Sequence, residues 1–193
     1  MIKEVLKITP NIGYSISYTT RVMREGEENG RDYFFVSREE FVNLIENNEF
    51  LEHATVHGNF YGTSKTQVSK DINNGRDVIL EIDVQGAENI MNDFPEAVSI
   101  FILPPTFEIL RDRLTARATE TAENLALRLS NSFGEVQKYE EFEYIVVNDE
   151  KIRATIDLQS IILAERLKRV RQTEAIRDIL DSFDISKSNT VGD

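Results

Sequence analysis

Three short apolar runs leave this chain few ways to fold. Val78-Ile79-Leu80, with Ile82, sits within 77–83; Val98 to Leu103 stops at Pro104-Pro105; Tyr144 to Val147 is the third. A strand with one wet face alternates apolar and polar residues, whereas a nearly continuous apolar run suits a parallel strand covered on both faces. Helical patterns separate the runs, over Gln85 to Asn92, Thr106 to Arg117 and Thr121 to about Glu140. Strands alternating with helices predict an α/β fold built on a doubly wound parallel sheet.

The N-terminal part has a different rhythm. Residues 2–8 form a short helical pattern, stopped by Thr9-Pro10-Asn11 and Gly13. Tyr14 to Tyr18 alternate like a strand. Arg21 to Arg31 are loop, in which Gly26 and Gly30 permit tight turns. Ser37 and Glu40 make a capping box for a helix whose buried stripe is Phe41, Leu44 and Ile45. Leu51 to Val56 and Asn59 to Tyr61 read as a hairpin about Gly58. Ser64 caps the next helix, which buries Val68 and Ile72 and ends at Gly75. A last helix is expected from Asp149 through Leu180, with Ile152, Ile156, Ile161, Ala164 and Leu167 as its apolar face. Its basic part, Arg166 to Arg171, reads as a solvated helix face. Residues 184–193, largely small and polar, read as a frayed tail.

At 193 residues the chain is long enough for one domain with a sizeable core. A mean hydropathy of -0.34 describes a soluble protein. The formal net charge of -12 argues against nucleic acid or an anionic membrane as partner, and makes local clusters of arginine stand out. With no cysteine there are no disulfides and no thiolate metal sites, which fits a reducing compartment. No signal-peptide core opens the chain and no window approaches a membrane span, so a cytoplasmic location is expected. Oligomeric state is not legible.

Chemistry concentrates between Tyr14 and Gly62. Arg21 and Arg24 lie three apart in a segment dense in Thr, Gly and Tyr, which suits an anion better than a core. A guanidinium offers rigid paired donors to phosphate oxygens, and a tyrosine hydroxyl adds another at little entropic cost. His53 and His57, four apart with no third ligand or nucleophile near in sequence, read as structural. Glu81 and Asp83 are expected at the carboxyl end of a strand, two apart and on one face, where α/β sheets bind ligands.

The run Ser17-Tyr18-Thr19-Thr20-Arg21, continued by Arg24-Glu25-Gly26-Glu27 and Gly30-Arg31-Asp32-Tyr33, resembles the GMP-binding segment of guanylate kinases. Glu49-Phe50-Leu51-Glu52, Gly58-Asn59-Phe60-Tyr61-Gly62-Thr63 and Leu80-Glu81-Ile82-Asp83-Val84-Gln85-Gly86 continue the resemblance in order, from about Val5 to about Leu163. It implies the fold of P-loop nucleoside monophosphate kinases over residues 1–183, with a GMP-binding subdomain at about 19–76 and a helical lid at about 113–140. It implies that Arg21, Arg24, Tyr33 and Tyr61 clamp the GMP phosphate. Glu52 would read guanine through N1-H and the exocyclic amine, helped by Ser17, Thr63 and Asp83. Arg117 and Arg128 would close over the phosphates of ATP, with Arg113 nearby, and Asn148 would edge the adenine site, with a simple helix cap at Asn148-Asp149 as the alternative. Mg²⁺ would come with ATP, and Glu81 and Asp83 could help to hold it through water.

One family element is missing. No lysine follows a glycine anywhere in the chain, so no G-x-x-x-x-G-K-[ST] motif can be drawn. In the family fold that motif follows a central strand, whose removal would leave two edges with unpaired backbone groups. The expectation is therefore an upstream segment lost through a misplaced start or a split gene, with phosphoryl transfer impaired in the chain as written. Two functions stay open: a guanylate kinase that phosphorylates GMP to GDP with Mg-ATP, or an inactive guanylate-kinase-like module that binds GMP or phosphorylated peptides.

Overall fold

The computed structural model describes residues 1–116 and 122–183. Helix α1 (Ile2–Ile8) leads into strand β1 (Ile12–Tyr14), which runs parallel to β6 (Asp77–Ile79) in the register Ile12 to Asp77 and Tyr14 to Ile79. Further along the chain, β7 (Ile100–Leu103) runs parallel to β8 (Tyr144–Val147). Helix α4 (Val84–Asp93) connects β6 to β7, yet among the described residues these two strands share no ladder. The parallel sheet therefore comes as two two-stranded ladders. This alters the burial expected for the apolar runs: Val78 and Ile79 are half-buried, and Ile102, Ile145 and Val147 are exposed.

A separate four-stranded sheet, in the order β3-β2-β5-β4, comes from β2 (Tyr18–Thr19), β3 (Phe34–Phe35), β4 (Phe50–Val56) and β5 (Asn59–Ser64). The single strand expected over Tyr14 to Tyr18 is thus two strands. Its first part serves the parallel ladder and its end the four-stranded sheet, which is mixed, with β2 parallel to β3 and antiparallel to β5; the chain must change direction between them. Helix α2 (Arg38–Glu46) begins with the expected capping box, both of whose hydrogen bonds form between Ser37 and Glu40. It delivers Phe41, fully buried, onto Phe50 and Phe60 at centroid distances of 4.6 and 5.3 Å. Gly62 makes room for these rings, since a Cβ there would lie 2.9 Å from Phe50 and 3.0 Å from Phe41. In helix α3 (Lys65–Asn73), capped by Ser64, Val68 is buried but Ile72 is exposed, contrary to expectation.

The long C-terminal helix is broken. Helix α7 (Lys151–Arg166) and helix α8 (Thr173–Ser182) are separated by a 3-10 turn at Arg169–Arg171. The face that α7 buries carries Ala154, Thr155, Leu158 and Glu165, whereas Ile152, Ile156 and Leu167, expected inside, are exposed. α7 packs on α1 and on β8, and so braces both parallel ladders. Gln159 donates to the carbonyl of Ile8, and Arg166 pairs with Asp77 at 2.6 Å while donating to the carbonyls of Pro10 and Asn11. The basic residues near its end are spent on such local contacts: Lys168 and Arg171 both face Glu165. Helices α5 (Phe107–Ala116) and α6 (Ala122–Gln137) pack together through Phe107 and Phe133, stacked at 4.8 Å. Arg117 and the 184–193 tail lie outside the described residues. Among the described residues no helix is long and apolar enough to cross a membrane.

Candidate functional site

A cleft of about 680 Å³ lies between the four-stranded sheet, the segment after β6 and helix α6. Its inner end is made by β4 and β5. A bulge at Leu51 shifts their register, so that Phe50 faces Ser64 but Glu52 faces Thr63. Without the extra residue Glu52 would stand opposite Gly62, which has no hydroxyl to offer; a bulge re-aims the side chains beyond it. Thr63 Oγ1, fully buried, donates to Glu52 Oε1 at 2.6 Å. The carboxylate's other oxygen lies against the first turn of α4, where a Cβ on Gly86 would fall 2.6 Å from it. A glycine is required there because carboxylate and helix backbone share that space.

Glu52 is 6% exposed and has no cationic partner among the contacts described. Burial pushes its pKa above the ordinary carboxylate range and the nearby Asp83 adds to the rise, while the Thr63 bond opposes it. Such a group is an acceptor held for donors that the protein itself does not supply.

Asp83 is not on a strand, because β6 ends at Ile79; it is the N-cap of α4, where Oδ1 accepts from the Gly86 amide at 3.1 Å. Glu81 accepts from the Tyr14 hydroxyl at 3.0 Å, and both carboxylates line the cleft. Burial, and then Glu81, raise the pKa of that tyrosine.

The outer end is cationic. Arg21, two residues past β2, is held by Glu27 at 2.7 Å and by the carbonyl of Val22, with its guanidinium over the rings of Tyr33 and Phe35. Glu27 also accepts from the Arg24 amide at 2.8 Å, closing the loop on itself. Burial works against the Arg21 charge, but Glu27 more than offsets it, and Glu27's own carboxyl is held below its usual range by Arg21. Gly26 and Gly30, at φ of 83° and 79°, make the turns of this loop. Tyr33 and Tyr61 meet edge to face at 6.0 Å, and burial raises the Tyr33 pKa.

Ser17, Arg21, Arg24, Tyr33, Glu52, Tyr61, Asp83 and Arg128 all line this one cleft, and Thr63 reaches it through Glu52. Asn148 is elsewhere, at the end of β8, where its carbonyl and that of Asp149 accept from Arg113. Arg113 thus braces α5 against β8. The cap of α7 is Glu150 and not Asn148 or Asp149. Sequence reasoning gave Glu27 and Tyr14 no site role of their own and read His57 as structural. His57 lines the cleft from the hairpin tip and meets Asn131 of α6 at 3.5 Å. Their contacts were not legible, since Tyr14 and His57 meet partners far away in the chain and Glu27 meets Arg21 across a loop.

The arrangement holds guanidinium and phenol donors at one end and a buried carboxylate acceptor at the other. It fits an elongated ligand with an anion at one end and paired N–H donors at the other. Among the described residues no three His, Cys, Asp or Glu side chains cluster as a ready metal site.

The sequence model of the guanylate kinase family matches residues 1–165. The guanylate kinase of Thiobacillus denitrificans is 48% identical over 183 residues, covering 95% of this chain and 88% of the relative. That of Neisseria meningitidis is 47% identical, covering 94% and 89%. The crystal structure of guanylate kinase from Anaplasma phagocytophilum superposes with a TM-score of 0.80 at 37% identity, over 94% of this chain and 88% of that one. Cleft, fold and relatives agree, and the chain belongs to the guanylate kinase family.

Proposed function

We propose that the cleft binds GMP for phosphorylation to GDP by Mg-ATP. The observation that carries this reading is the buried, cation-free Glu52 at the inner end of a cleft whose outer end holds Arg21. Guanine presents N1-H and an exocyclic amine to one carboxylate; adenine would leave that carboxylate buried without a partner. Thr63 holds the acceptor, and Ser17 and Asp83 border the base. Arg21, Arg24, Tyr33 and Tyr61 take the phosphate, with Glu27 keeping the Arg21 fork pre-oriented. Phosphoryl transfer calls for positioning and charge stabilisation, with no side-chain nucleophile. Arg128 enters the cleft from α6 and, with Arg117, would meet the phosphates of ATP. Mg²⁺ needs few protein oxygens because it keeps waters and substrate phosphates; Glu81, a hard carboxylate on the cleft wall, fits the role of holding its water shell.

Calorimetry with GMP and AMP tests the guanine reading. We expect GMP to bind at least about tenfold more tightly, the scale set by stranding a buried acceptor. Equal affinities would reject it. A second reading, a binding module without transfer, draws on the absence of any Gly-Lys pair and on the unjoined β6 and β7. GMP binding without ATP-dependent GDP formation, restored together with a higher Tm when a strand and G-x-x-x-x-G-K-[ST] segment is fused ahead of residue 1, would assign the deficit to that element. Robust GDP formation by the 193 residues alone would reject the module.

A further inference from the structure

We propose that His57 and Asn131 form the latch that seats α6 over the cleft and so sets the position of Arg128. The proposal rests on the reading of the cleft as a GMP site, and gives two residues outside the ligand-contacting set a positioning role.

The hairpin tip is built to hold an imidazole on the rim. Val56 pairs with Asn59, leaving His57-Gly58 as a two-residue turn, and both have positive φ, 48° and 78°. A tight hairpin turn of this kind matches the twist of its strands and fixes the direction of its side chains. Asn59 Nδ2 donates to the His57 carbonyl at 3.3 Å and pins the turn further. Val56, His57 and Asn59 all face the cleft.

On the other side, Asn131 stands three residues after Arg128, so the two share one face of α6 about one turn apart. Arg128 lines the same cleft that His57 borders. Two residues past Asn131, Phe133 stacks on Phe107 of α5. The Asn131–His57 contact lies beside that anchor and ties the Arg128 side of the helix to the hairpin. With the ring hydrogen on Nε2, His57 Nδ1 accepts from the Asn131 amide, at 3.5 Å here. A contact between neutral, partly solvated groups shifts an equilibrium only by about 2- to 10-fold. That is weak enough to open on each cycle and strong enough to bias closure.

The absence of cysteine makes the test clean. Exposed Thr55 on β4 and Ala126 on α6 are replaced by cysteine and labelled with a fluorescent donor and acceptor. The distance between labels is read in ligand-free protein and with GMP, and GMP release is timed by stopped flow. We expect Asn131→Ala and His57→Ala each to lengthen the mean distance in ligand-free protein and to speed GMP release about 2- to 10-fold. The double variant should do no more than either single one, and His57→Gln, which keeps an acceptor, should restore most of the closure. Unchanged distances in both single variants would overturn the latch, as would additive effects in the double variant. A failure of GMP to bind would instead strike the proposed function, because the ligand-free distance still judges the latch.

Discussion

Among the described residues, the cleft half of the molecule, through Gly86, and the C-terminal half, from Ile100, each bury one glutamate and treat it in opposite ways. Glu52 is 6% exposed and Glu165 is 5% exposed. Glu165 has positive partners: Tyr144 donates to it, Lys168 lies 2.7 Å from one oxygen and Arg171 3.6 Å from the other, although that second oxygen takes no hydrogen bond. Burial works against its charge, but Lys168 and Tyr144 prevail and its pKa falls below the ordinary carboxylate range. Glu52 has the Thr63 hydroxyl and a neighbouring negative charge, and its pKa rises. A paired buried carboxylate braces a fold, whereas an unpaired one is a cost retained for something else. The same contrast runs through the packing. The cleft half closes an aromatic core around Phe41, while the C-terminal half leaves Ile102, Val147, Ile152 and Leu167 exposed. An antiparallel pair such as β4–β5 forms through a two-residue hairpin. Parallel strands depend on neighbours brought from far along the chain.

The largest effect should separate the two cores. Phe41→Ala should lower unfolding free energy by about 3–5 kcal/mol, the range for deleting a packed aromatic, whereas Ile102→Ala should cost less than about 1 kcal/mol because that side chain is already wet. Urea unfolding of both variants decides the matter. Similar losses would mean that the parallel ladders carry as much of the stability as the aromatic core, and the comparison would fail.

Next in size is the use of arginine. Arg21→Ala should remove charge-assisted bonds of about 1.5–3 kcal/mol, weakening GMP binding roughly 10- to 100-fold while leaving guanosine nearly unaffected. Arg113→Ala, which breaks only the brace to the Asn148 and Asp149 carbonyls, should alter Tm and leave GMP affinity unchanged. Calorimetry on both variants with both ligands checks this. An equal loss of GMP and guanosine in Arg21→Ala would make Arg21 structural.

The smallest effects should have opposite signs. The folded pKa of Glu52 is raised, so ionising it opposes folding: the cost is absent below the unfolded value of about 4.5 and grows as pH rises through the folded pKa. Glu52→Gln should therefore raise the Tm of the ligand-free protein at neutral pH, by the equivalent of about 1 kcal/mol, with the gain vanishing toward pH 4. Glu165, with a lowered folded pKa, stabilises above about 4.5 and loses that contribution as pH falls through its folded value. Glu165→Gln should accordingly lower Tm at neutral pH and converge with the parent in acid. Thermal melts from pH 4 to 8 read both, and a loss of Tm in Glu52→Gln at neutral pH would remove the view of Glu52 as a carboxylate kept at a cost.

How much of this was legible in advance follows from the range of the forces involved. The sequence alone determined what neighbours in the chain decide. Ser37 and Glu40 satisfy each other's helix end, Ser64 caps α3, Gly75 ends it at φ 71°, and the apolar runs at Ile100–Leu103 and Tyr144–Val147 become strands. Most of the cleft residues were also readable, because their order along the chain is what the family resemblance rests on.

Tertiary structure decided the rest. It split Tyr14 to Tyr18 between two sheets, moved Asp83 from a strand to a helix cap, and turned α7 so that Ile152 and Ile156 face outward. It placed a bulge at Leu51 that sets Glu52 against Thr63, and it brought Glu27 to Arg21 and Asn131 to His57. A capping bond spans three residues and is written in the residues it joins. Which strand passes opposite Glu52, and which face of a helix meets the sheet, depend on parts of the chain brought together only when the whole core closes.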